Sequence, residues 1–122
     1  MTVIRAADSA TFDLPGVRFS AYAAPSRGSQ EVCTWQIAVA PGHEAAPHTL
    51  DRDETFLVLS GRLRVTPDGD LLQAGDVAIV PAGEPISVVN PGPDDAIAYV
   101  AIAAGFTATT AEGDLLQPPW AQ

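Results

Sequence analysis

Two side chains in this sequence are suited to moving a proton, His48 and Glu54, six residues apart. An imidazole titrates near neutral pH, and a carboxylate beside it can orient the ring and favour its protonated form. Such a pair can take or deliver a proton in an isomerisation, cyclisation or elimination without a metal. A transition-metal site asks for more, three or four imidazole, thiolate or carboxylate donors. The chain has one other histidine, His43, followed by Glu44. These two can be read as an unorthodox ligand pair, but a solvated loop leading to His48 is the simpler reading. The single cysteine, Cys33, lies in the apolar run Val32–Val39, where a buried structural thiol is expected.

These residues need elements to hold them. Gly, Pro and Asp interrupt the chain at short intervals, and no window carries a helical stripe. Strands are predicted near Val17–Ala23, Val32–Val39, Thr55–Leu59, Leu63–Thr66, Val77–Val80, Ile86–Val89 and Ala96–Ala103. Turn chemistry separates them: Ser60-Gly61, Pro67-Asp68-Gly69-Asp70, and Asn90-Pro91-Gly92-Pro93. The expectation is an antiparallel sandwich or barrel. Residues two apart on a strand share a face, so His48 and Leu50 point the same way.

The spacing carries more information. One box runs Gly42-x5-His48-Thr49-Leu50-x3-Glu54-x6-Gly61, and a second runs Gly75-x5-Pro81-Ala82-Gly83-x2-Ile86-x3-Asn90. Together they resemble the two signature motifs of the cupin superfamily. The resemblance implies an all-β fold, an antiparallel double-stranded β-helix or jelly-roll barrel, and an interior site usually built from three histidines and one glutamate. Matched position by position, His48 and Glu54 are retained. Leu50 stands at the second histidine position and Ile86 at the third. Two aliphatic side chains donate nothing to an ion, so no metal or other cofactor is expected; if a metal binds, His48 and Glu54 are its ligands.

Length and charge narrow the partners. At 122 residues the chain fits one domain, with a core barrel at about 17–104, an N-terminal segment 1–16 and a tail 105–122. Six arginines, no lysine and a formal charge of -9 argue against nucleic acid and anionic membrane surfaces. They argue equally against multiply phosphorylated substrates. No signal-peptide pattern or membrane-length apolar run is read in the sequence, so a cytoplasmic protein is expected. Leu115-Leu116-Gln117-Pro118-Pro119-Trp120 is apolar enough to close one end of its own barrel or to cross to a second subunit. A homodimer is the expected assembly.

The pocket is expected to contain His48, Leu50, Glu54, Phe56, Ile86, Val88 and Trp35. Tyr22, Tyr99 and Gln36 are further candidates, and Arg52 at the cavity mouth is a candidate to meet a carboxylate. The first functional reading is a metal-free site for a modest, largely apolar organic molecule. The alternative is a metal-independent isomerase, cyclase or lyase with His48 and Glu54 as catalytic residues. The resemblance keeps open a metal-dependent dioxygenase or isomerase with an atypical ligand set. Whether the protein is an enzyme is left undecided by the sequence.

Overall fold

A computed structural model describes residues 1–122. Eleven strands follow in chain order: β1 (Ala10–Leu14), β2 (Val17–Ala21), β3 (Val32–Val39), β4 (Thr49–Leu50), β5 (Glu54–Ser60), β6 (Arg62–Leu63), β7 (Leu72–Gln73), β8 (Val77–Val80), β9 (Ala96–Ala103), β10 (Ala108–Thr109) and β11 (Leu115–Leu116). Six form one sheet in the order β1-β2-β3-β9-β5-β8. Facing it are a three-stranded sheet, β11-β10-β4, and the small β6-β7 pair. Every pairing between strands is antiparallel, as a jelly-roll barrel requires.

The large sheet is regular, and burial alternates along its central strands. In β3, Cys33, Trp35, Ile37 and Val39 are buried while their neighbours are not. In β9, Ala96, Ala98, Val100 and Ile102 do the same. The two strands run side by side in register from Val32 against Ala103 to Val39 against Ala96. Small residues on β9 let the longer side chains of its neighbours fill the interior, which is how a narrow barrel reaches close packing.

Turns of particular chemistry join these strands. Gly61 links β5 to β6 at φ 73°, and a methyl group there would strike the Asp95 carbonyl; only glycine meets both demands. Asn90 is fully buried. Its Nδ2 donates to the carbonyls of Val39 (2.9 Å) and Asp94 (2.8 Å), and its Oδ1 accepts the Gly92 N–H at 2.9 Å. One side chain thus pins the Pro91–Pro93 turn to the end of β3.

Two expectations are corrected. Residues 86–89 form no regular strand; they make isolated bridges, His48 to Ile86 and both Glu44 and Arg64 to Val89. Partners supplied by two different segments satisfy this stretch without one continuous ladder. The barrel also extends beyond 17–104. β1 pairs with β2 from Ala10 against Ala21 to Leu14 against Val17, and the tail adds β10 to β4 and β11 to β10. Of the two courses open to the tail, the structure shows it packed back on its own barrel. Trp120 stacks on Phe19 with ring centroids 3.7 Å apart, Cys33 Sγ donates to the Ala121 carbonyl at 3.4 Å, and Ser26 holds the Gln122 carbonyl. The large apolar surface of Trp120 is the physical reason: it finds an aromatic partner within the same chain. Cys33 is buried, as expected, and burial raises its thiol pKa.

Candidate functional site

Glu54 opens β5, and the alternation of that strand turns it inward together with Phe56 and Val58. Its register partners are Ile102 on β9 and Val80 on β8. The carboxyl is therefore set among hydrocarbon, and the residue is 4% exposed. A charge there would lose its hydration without gaining a counter-ion, so burial pushes the Glu54 pKa up to about 8. At neutral pH it is a protonated acid, able to donate a hydrogen bond.

The opposite wall is less regular. His48 and Ile86 face each other across a bridge, the His48 N–H donating to the Ile86 carbonyl at 2.9 Å and the Ile86 N–H to the His48 carbonyl at 2.7 Å. Leu50 lies two residues on, buried, and pairs with Ala108 of the tail. The imidazole is consequently flanked by aliphatic neighbours. Burial lowers the His48 pKa, a hydrogen bond with the Ala46 backbone opposing the shift only in part. His48 is a neutral base at the pH where Glu54 is a neutral acid.

The two walls enclose a cavity of about 480 Å3. His48, Leu50, Glu54 and Ile86, the four positions of the two boxes, all line it, and so do Trp35, Phe56 and Val88. They do not all meet. The molecule's ion pairs are Arg18–Asp13 and Arg52–Asp51, and His48 and Glu54 share neither an ion pair nor a hydrogen bond. The pair read from the sequence, with the carboxylate orienting the imidazole, is not formed. Burial, rather than pairing, sets the protonation of each.

Other candidates separate clearly. His43 lines the cavity and its ring packs on Gly16, where φ is 80° and a methyl group would collide with it; Glu44 is exposed and outside. Arg52 is exposed, bonded to the Asp51 carbonyl, and does not line the cavity. Tyr22 and Tyr99 stack on each other at 6.1 Å, with Gln36 opposite Tyr99 in the register, on the outer face. Sequence reasoning did not place Phe19, Phe106 or Trp120 in the pocket, yet all three line it. The alternation Val17, Phe19, Ala21 would have found the first. Phe106 and Trp120 are brought in by the tail, whose apolar run was legible but whose two-residue pairings were not. The Trp120 indole N–H is buried without a hydrogen-bond partner.

No group of three His, Cys, Asp or Glu side chains is gathered anywhere. With Leu50 and Ile86 beside His48, the residues present do not fit a transition ion held by three protein ligands. A second depression, about 500 Å3 and open, lies among the turns at Gly61, Gln73 and Gly92. It has no aromatic lining and no buried titratable group, so the interior cavity is the better candidate site. No helix is long and apolar enough to cross a membrane.

A six-stranded antiparallel sheet closed by shorter strands over an apolar interior defines a small jelly-roll barrel with a central site. The comparisons agree with that class. The Cupin domain family model matches residues 35–102, more than half the chain, and the protein belongs to that family. No curated protein sequence matches significantly. Among solved structures, the polyketide cyclase RemF from Streptomyces resistomycificus is similar at 18% identity and a TM-score of 0.74, covering 84% of this chain and 79% of its own. An RmlC-like cupin from Ralstonia eutropha JMP134 is similar at 13% identity and a TM-score of 0.76, covering 97% and 78%. A cupin-superfamily sugar phosphate isomerase from Silicibacter pomeroyi is similar at 21% identity and a TM-score of 0.68, covering 88% and 80%. Likeness at these identities establishes the fold.

Proposed function

We propose that this protein binds a modest, largely apolar organic molecule inside its barrel, without a protein-held metal. The observation that carries the reading is the 480 Å3 cavity in which 16 of 24 lining residues are hydrophobic, a volume suited to a drug-sized ligand. Leu50 and Ile86 support the metal-free part, because they occupy wall that donors would need. Native mass spectrometry of the protein as purified, with elemental analysis, tests it. A co-purifying organic mass supports the proposal; one equivalent of iron, zinc, manganese or nickel per chain overturns the metal-free part.

A second reading is favoured by the opposed pKa shifts of Glu54 and His48. Two groups lining one cavity with opposed shifts are suited to acid and base roles. For a bound ketone, the His48 imidazole would take an α-proton while Glu54 donates its proton to the carbonyl oxygen. The products are an enol, an imidazolium and a carboxylate, and reversal restores all three. Two of the structural neighbours, a cyclase and an isomerase, carry names compatible with such chemistry. Proton NMR in D2O with 2-tetralone should show faster loss of the α-hydrogens with the wild type than with His48→Ala. Equal rates would remove His48 from any such step.

We also propose a homodimer. β8 is an edge strand with no charged residue, and Val77 and Ile79 on its outer face are 57% and 69% exposed. Edges of this kind invite pairing. Light scattering at micromolar concentration should give twice the chain mass, and Ile79→Asp should give a monomer; a wild-type monomer refutes the assembly.

A further inference from the structure

The lining of the cavity is selective in composition as well as apolar. Five of the eight aromatic residues in the chain line it, and no arginine or lysine does. Four of those rings form one continuous wall. Trp120 lies on Phe19 with planes 11° apart, Trp35 meets Trp120 at 6.5 Å and 65°, and Trp35 lies 6.0 Å from Phe106 at 30°. Their centroid spacings leave no slot between them, so a ligand must lie against the wall.

The register gives the span. Trp35 on β3, Val100 on β9 and Phe56 on β5 form one row across the sheet, and Glu54 is two residues before Phe56. β3 and β5 are two strand spacings apart, about 9.6 Å. β9, which lies between them, contributes no residue to the lining. Two or three fused rings cover such a span, and a flat molecule keeps contact along the ring wall over its whole length. An anion would find no cation in the lining and would face Glu54 and Glu112, so its lost hydration would go uncompensated.

We infer that the ligand is an uncharged, planar molecule of two or three fused rings, laid against Phe19, Trp35, Phe106 and Trp120, with a hydrogen-bond acceptor on the edge nearest Glu54. The inference rests on the binding reading above and names its substrate class. Aromatic faces favour offset stacking or edge contacts with another ring system over contact with a flexible chain, and a rigid ring system loses less freedom on binding.

The test is calorimetric titration of the wild-type protein at pH 6.5 with three probes. These are 2-acetylnaphthalene, 2-naphthoate and 2-decanone. The first should bind at least about tenfold more tightly than either of the others, since 2-naphthoate adds a charge and 2-decanone removes the rings. Equal or tighter binding of 2-naphthoate overturns the uncharged class. Equal or tighter binding of 2-decanone overturns the planar class and leaves the proposal of an apolar ligand standing. If none of the three binds, the apolar-ligand reading fails and this inference with it. Trp35→Leu, checked for a cooperative thermal transition, should narrow the preference for 2-acetylnaphthalene over 2-decanone; an unchanged preference takes the ring wall out of recognition.

Discussion

The two walls of the cavity are built differently. One is the inner face of a six-stranded sheet whose central strands run eight residues each, in continuous register. The other is assembled from strands of two residues, one His48–Ile86 bridge and a tail that returns from the end of the chain. The first carries Phe19, Trp35, Glu54 and Phe56 into the cavity; the second carries His48, Leu50 and Ala108. The difference teaches that the two walls are held in different ways: the sheet by continuous register between neighbouring strands, the irregular wall by partners far along the chain.

The contrast is broken most directly by truncating one ring on each side. Trp35→Ala removes a buried indole from the sheet and should lower the unfolding free energy by about 4 kcal/mol in urea titration. Trp120→Ala, on the partly exposed tail, should cost roughly half as much. Equal losses would show that the tail is as integral to the fold as β3.

A pH titration sharpens the comparison from the Glu54 side. Its folded pKa is raised from 4.5 to about 8, so the folded protein holds a proton that the unfolded chain releases. Stability from this group is complete below the unfolded value and is lost as pH rises through the folded one. Stability read by chemical denaturation should therefore fall by on the order of 3 kcal/mol between pH 5 and 8. His48 acts in the opposite sense: its lowered pKa makes stability fall as pH drops below the unfolded value of 6.5. Glu54→Gln should flatten the upper slope, and a slope that survives this substitution would assign the effect to another group.

Smaller effects follow at the joints. Asn90→Ala removes three hydrogen bonds from a buried turn and should cost about 2 kcal/mol, read by the same titration. Trp120→Phe keeps an aromatic ring and discards an N–H that has no partner. It should be neutral or stabilising by up to about 1 kcal/mol; a clear loss would mean that the indole N–H has a partner in solution.

The division between the walls also explains what the sequence made legible. β3, β8 and β9 were readable to the residue because each is an apolar-rich run of four to eight residues bounded by turn residues, a signal local to the strand. The boxes identified the interior positions of His48, Leu50, Glu54 and Ile86 because turn glycines, Pro81 and Asn90 recur at set spacing. β4, β10 and β11 escaped because two-residue strands have no period. Their existence depends on a partner far along the chain, as when Ala108 pairs with Leu50. The missing His48–Glu54 bond was equally invisible, since spacing can put two residues in one cavity without fixing the distance between their side chains.

Cys33 gives the tail an unusual property. It is the chain's single thiol, it is completely covered, and the carbonyl it contacts belongs to Ala121. An alkylating reagent can reach the sulfur only when the end of the chain lifts away or the whole barrel opens. The labelling rate is then a clock for the less costly of those two openings. If tail release is the faster route, modification outpaces global unfolding, and a ligand pressed against Trp120 slows the clock in proportion to its occupancy.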